Sequence, residues 1–135
     1  MKRSFKQVDV FTDSALQGNP LAVVLDASGL DTATMQRFTD WTNLSEATFL
    51  SLPTQAQADY AVRIFCPGRE LPFAGHPTLG SCHAWQQAGG RPKGDVIVQI
   101  GEQTIANIYD YTYALEALKV NVGVRLVYLR GGERK

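Results

Sequence analysis

The sequence predicts an α+β domain, because two helical patterns sit among five or more short strand patterns joined mostly by hairpin-length connections. The chain has 135 residues, of which 44% are apolar and 19% charged. That is enough for one domain with a hydrophobic core, and too short to expect two. No segment repeats at a period of about 20–50 residues. No glycine-rich phosphate loop of the dinucleotide or P-loop type occurs, which argues against a doubly wound nucleotide-binding sheet.

Residues 4–11 alternate roughly between polar and apolar, as an antiparallel strand does. A loop from Asp13 ends in Gly18-Asn19-Pro20, and Leu21-Ala22-Val23-Val24-Leu25 follows as a short strand apolar on both faces. Asp31 can cap a helix that runs to about Thr42, with Met35, Phe38 and Trp41 or Thr42 as its apolar stripe. Residues 47–51 form the next strand, 53–59 a hairpin-like connection, and 60–65 an alternating strand. Residues 66–73 read as a loop with two prolines. Gly75-His76-Pro77-Thr78 opens a second helix with proline in the tolerated first turn, and Gly89-Gly90 ends it. Gly80, Ala84 and Ala88 fall four apart and leave that helix a smooth side for close packing. A further strand spans 95–100.

Lys+Arg and Asp+Glu are balanced at 13 each, so no net field draws nucleic acid or an anionic membrane. No apolar run approaches the roughly 20 residues needed to cross a bilayer. Met1-Lys2-Arg3 leads into a strand pattern and not into the apolar core of a signal peptide, so the expected compartment is the cytoplasm. Cys66 and Cys82 lack metal-ligand spacing and read as reduced thiols. No metal is expected.

Glu46, in Asn43-Leu44-Ser45-Glu46-Ala47-Thr48-Phe49, lies between a helix and an apolar strand. A carboxylate beside Leu44 and Phe49 is partly withdrawn from water, which suits general acid/base work. The plain alternative is a strand-edge acid facing solvent. His76 stands at a helix N-terminus, where free backbone N–H groups suit a carboxylate or an enolate oxygen. It serves equally as a capping or packing residue. His83, further along, reads as surface or packing, and Gly18-Asn19-Pro20 taken alone is a plain turn.

Three ordered segments change the weight of these readings. Val8-Asp9-Val10-Phe11-Thr12 with Gly18-Asn19-Pro20-Leu21-Ala22-Val23-Val24 resembles the opening of the phenazine-biosynthesis isomerase (PhzF-like) family. Asn43-Leu44-Ser45-Glu46 resembles its second motif. Arg63-Ile64-Phe65-Cys66-Pro67 with Glu70-Leu71-Pro72-Phe73-Ala74-Gly75-His76-Pro77-Thr78-Leu79-Gly80 resembles its third. The resemblance implies a diaminopimelate-epimerase-like domain, a mostly antiparallel sheet wrapped around a central helix that here begins at His76. It implies a cofactor-free isomerase that moves a proton on a small unsaturated or cyclic carboxylic acid. Glu46 falls at the family's catalytic glutamate, Gly75 and His76 at substrate contacts, and Asn19 near the cleft. Racemases of the wider fold use two thiols, one immediately before the glycine that matches Gly75. Here that position is Ala74, which favours carboxylate chemistry.

The resemblance covers residues 5 to about 99, so 1–99 is expected to be the PhzF-like N-terminal domain and 100–135 an atypical tail. In that tail, residues 113–119 suggest a short helix, and Val120, Val122, Val124, Leu126 and Tyr128 alternate like a strand. Family members have a second half that supplies an Asp-x-x-Thr-Gly-Ser motif, which has no match here. Two readings follow: an isomerase whose cleft is completed by a second copy in a homodimer, or a non-catalytic binding or interaction module derived from the family.

Overall fold

A computed structural model of the chain describes residues 2–93, 96–106, 110–111, 114, 125–130 and 133–135. The chain divides into two compact units, 1–91 and 92–135. Among the described residues, no helix is long and apolar enough to cross a membrane.

The first unit carries a five-stranded sheet in sequence order: β1 (Phe5–Val10), β2 (Asn19–Val24), β3 (Ala47–Ser51), β4 (Ala61–Cys66) and β5 (Arg69–Leu71). All neighbours pair antiparallel except β2 and β3, which run parallel with Ala22 opposite Ala47. A parallel pair requires a crossover, and helix α1 (Thr32–Thr42) supplies it. Asp31 caps this helix by accepting the Thr34 N–H at 2.6 Å, and Asn43 ends it in the left-handed conformation. Helix α2 (Gly75–Gln87) follows β5.

The central strands are buried on both faces, as the unbroken apolar run of β2 requires. One face joins Ala22, Val24, Ala47, Phe49 and Phe65 to Met35 of α1. Phe38, Phe49 and Phe65 stack edge to face at 5.8 and 5.4 Å. The other face joins Val10, Leu21, Val23 and Leu50 to Ala84 of α2. Helix α2 thus lies against strands β1 to β4 on the face opposite α1.

Three details depart from the sequence reading. Residues 69–71 form strand β5 and not loop, because Gly68 at φ +81° closes a tight turn after β4. Arg63 then clamps Glu70 in a two-pronged ion pair with contacts of 2.7 and 2.6 Å. On α1 the buried place goes to Thr39, whose hydroxyl donates to the Met35 carbonyl at 2.9 Å, while Trp41 is 80% exposed. On α2 the smooth side comprises Pro77, Gly80, Ser81 and Ala84, and Ala88 is an exposed C-cap.

The second unit holds a four-stranded antiparallel sheet of order β7-β6-β8-β9, from β6 (Val96–Ile100), β7 (Gln103–Thr104), β8 (Leu126–Arg130) and β9 (Glu133–Arg134). A bulge at Ile97/Gln99 interrupts the β6–β8 register, and Ile100, Ala114 and Val127 are buried. The strand expected around Leu126 and Tyr128 is present as β8. Of the helix expected over 113–119 only residue 114 is described, and the alternation at Val120, Val122 and Val124 lies outside the described residues.

Gly80 shows how tightly α2 sits on the sheet. A Cβ there would lie 2.6 Å from Leu21 Cδ2 and 2.8 Å from Val10 Cγ2, whereas one at Gly75 would meet open space. Gly→Ala inside a helix ordinarily gains about 1 kcal/mol, and overpacking a core costs about 1–3 kcal/mol. Gly80→Ala should therefore lower stability, by up to about 2 kcal/mol, while Gly75→Ala should not. Urea midpoints of the two variants measure the difference, and equal midpoints would contradict the close packing.

Candidate active site

The parallel strands β2 and β3 begin at the same edge of the sheet, and the functional candidates collect there. Asn19 is the first residue of β2, Glu46 immediately precedes β3, and His76 lies in the first turn of α2. Asn43, turning left-handed at φ 55°, ends α1 and swings the chain through Ser45 and Glu46 into β3. The two possibilities left open for Glu46 and His76 are thereby resolved in part: neither side chain stands in open solvent. The His76 ring is 9% and the Glu46 side chain 19% exposed.

Glu46 Oε2 lies 3.4 Å from His76 Nε2. Both atoms are fully buried and neither has a hydrogen-bond partner among the described residues, so the contact is a close ionisable pair and not a hydrogen bond. Such unmet atoms cost about 1–3 kcal/mol each, which the fold bears at this edge. On its far side the imidazole Nδ1 lies 3.3 Å from the Asn19 amide nitrogen, and Asn19 Oδ1 accepts from the Ser45 hydroxyl at 3.2 Å. The Phe11 ring leans on the imidazole at 6.3 Å between centroids.

The loop entering β2 is held by its own hydrogen bonds. Asp9 Oδ2 accepts the N–H groups of Gln17 and Gly18 at 3.1 and 3.3 Å. A Cβ at Gly18 would collide with the Val10 carbonyl oxygen and with the side chains of Thr12 and Asp9, so the turn before Asn19 admits glycine alone. Phe11 and Leu16 both adopt positive φ, at 66° and 67°. The start of α2 is bare: no side chain caps it, and its N-cap is Ala74. Gly75 is exposed with free space above it.

Sequence reasoning named Glu46, Gly75, His76 and Asn19, and all four lie at this edge. It missed Ser45, Phe11 and Asp9. The adjacency of Ser45 to Glu46 was the one available signal for the first. Asp9, eight and nine residues before its partners, had none.

Other ionisable groups lie apart. A cavity of about 370 Å³ opens where β2 and β3 end, lined in part by Leu25, Leu50, Pro53, Tyr60 and Trp85 and not by Glu46 or His76. Burial pushes the Tyr60 phenol up to about 12, with Cys82 beside it. Burial also raises the Cys82 thiol, the opposite of what a reactive thiolate needs. His83 is exposed and contacts Gln87 at 2.7 Å. Among the described residues, no three His, Cys, Asp or Glu side chains gather as metal ligands do.

Burial lowers the His76 imidazole below its ordinary value of 6.5, and the opposing pull of Glu46 does not restore it. A ring kept neutral contributes stability that is complete above that ordinary value and is lost as pH falls below it toward the folded-state value. An NMR titration of the His76 ring should therefore show a midpoint below 6.5. The urea midpoint should fall on acidification through that window, and fall less in His76→Gln. A midpoint above 6.5 would show that the carboxylate outweighs burial.

Comparison with known proteins places this edge in context. Residues 8–118 match the family described as phenazine biosynthesis-like protein, PhzC-PhzF, a match that continues beyond residue 99. Antisense-enhancing sequence 1 of Schizosaccharomyces pombe is 52% identical over 99 residues, covering 73% of this chain and 33% of that protein. Trans-2,3-dihydro-3-hydroxyanthranilate isomerase of Pseudomonas aeruginosa is 49% identical over 77 residues, covering 57% and 27%. The crystal structure of a PhzF-family phenazine biosynthesis protein from Enterococcus faecalis superposes with a TM-score of 0.63 at 31% identity, covering 72% of this chain and 36% of that one. The chain spans about a third of the length of the curated relatives it matches. With most of its length matched and its α+β architecture shared, the chain belongs to the phenazine biosynthesis-like PhzC-PhzF family.

Proposed function

We propose that the chain provides the proton-transferring half of an isomerase site for a small unsaturated or cyclic carboxylic acid, working without metal, nucleotide or flavin. The observation that carries this reading is the buried Glu46–His76 contact at the open N-terminus of α2. A carboxylate there can take a proton from one substrate carbon and return it to another. The Gly75 and His76 N–H groups, unmatched within the helix, can hold the substrate carboxylate. The name of the Pseudomonas aeruginosa relative, trans-2,3-dihydro-3-hydroxyanthranilate isomerase, supports a substrate of this kind. Ala74 and the raised thiol of Cys82 support carboxylate chemistry over a two-thiol mechanism.

The same reading proposes a two-fold dimer, since Phe11, which leans on the His76 ring, and Phe73, two residues before Gly75, are exposed, and it keeps the cytoplasm as the proposed compartment. Light scattering at micromolar concentration should give a mass above that of one 14.8 kDa chain, and a monomer would remove the dimer from the proposal.

Catalysis is tested by assaying dihydrohydroxyanthranilate-like acids with wild type and Glu46→Gln side by side. One general base contributes about 10²–10⁴-fold, so the variant should lose about that factor with its fold intact, and solvent deuterium should enter the wild-type product. No turnover by wild type would favour a non-catalytic binding module, and equal turnover by both would take the base role from Glu46.

A further inference from the structure

The Asn19 amide, sequence-read as a residue near substrate, is engaged at both ends by protein. We infer that Asn19 and Ser45 are positioning residues that hold His76 as the neutral tautomer protonated at Nε2, so that the ring turns its N–H toward Glu46 Oε2 and leaves Oε1 to move the substrate proton. This inference rests on the reading of Glu46 as a base.

The argument follows from which atoms can donate. A base must be a carboxylate, and a carboxylate only accepts. Oε2 faces Nε2 at 3.4 Å and neither atom has a hydrogen-bond partner among the described residues, so a proton on Nε2 is the arrangement the carboxylate attracts and a bare Nε2 the one it repels. A neutral imidazole has one N–H, so Nδ1 is bare and needs a donor. The amide nitrogen of Asn19 stands 3.3 Å away to supply it. That orientation turns Oδ1 toward Ser45, whose hydroxyl donates to it at 3.2 Å.

The reversed amide fails on the same count. Oδ1 would then demand a proton on Nδ1, Nε2 would be bare, and two acceptors would face each other across a buried gap. The orientation of one side-chain amide thus sets the protonation of a ring atom on the far side of the imidazole. Burial of the ring works in the same direction by disfavouring the doubly protonated form.

The chain has two histidines, so long-range ¹⁵N–¹H spectra of histidine-labelled protein are assigned with one His83→Gln control. For His76 at neutral pH without substrate, Nε2 should resonate as the protonated ring nitrogen and Nδ1 as the bare one. Asn19→Asp replaces the donor with an acceptor and should move a proton onto Nδ1. Ser45→Ala should yield a mixture of tautomers, and Ser45→Thr, which keeps the hydroxyl, should restore the wild-type spectrum. A wild-type ring protonated at Nδ1 overturns the inference, as does an Asn19→Asp spectrum with the tautomer unchanged. Because the spectra are taken without turnover, the base reading fails separately: the tautomer as stated, with Glu46→Gln fully active, would sink that reading alone.

Discussion

The parallel pairing of β2 with β3 is the constraint on which the first unit depends. Antiparallel neighbours can be joined by a turn, but these two start at the same edge and need a helix to return the chain. That helix, α1, covers one face of the sheet, so the opposite face of the same strands must find another cover. Helix α2 provides it, with Gly80 and Ala84 against β1 and β2. The sheet is enclosed on both faces because one pair of its strands runs in the same direction.

The site is a by-product of that geometry. Two strands that begin together place their preceding residues together, which brings Asn19 and Glu46 to one edge. Helix α2 begins at that edge too and presents His76 between them. Residues 57 positions apart in sequence become hydrogen-bonding neighbours without any side chain having to reach far.

How much of this could be read beforehand depended on how local the cause was. The apolar run at 21–25, the Asp31 cap and the Gly89 stop are decided within a few residues, and each appears where expected. Strand β5 was not legible because three residues, Arg69 to Leu71, show no alternation to detect. Its existence depends on a glycine turn and a cross-strand clamp. Thr39 displaced Trp41 from the buried stripe of α1 because a hydroxyl bonded to its own helix is small enough to lie flat against the sheet, a matter of fit that periodicity does not express. The candidate residues were legible as a set through the family motifs, but their coupling was not. No pattern in the sequence announces that a serine, an asparagine, an imidazole and a carboxylate form one chain of polar contacts.

Pro77 has a consequence for the donors at the start of α2. As the third residue of α2 it brings no N–H, and the Thr78 N–H already donates to the Ala74 carbonyl at 3.3 Å. An anion at this end of the helix therefore meets two backbone donors, those of Gly75 and His76. Two donors equal in number the oxygens of the carboxylate proposed as the substrate group. A residue that reads as helix-start grammar also limits how many backbone donors this end of the helix presents.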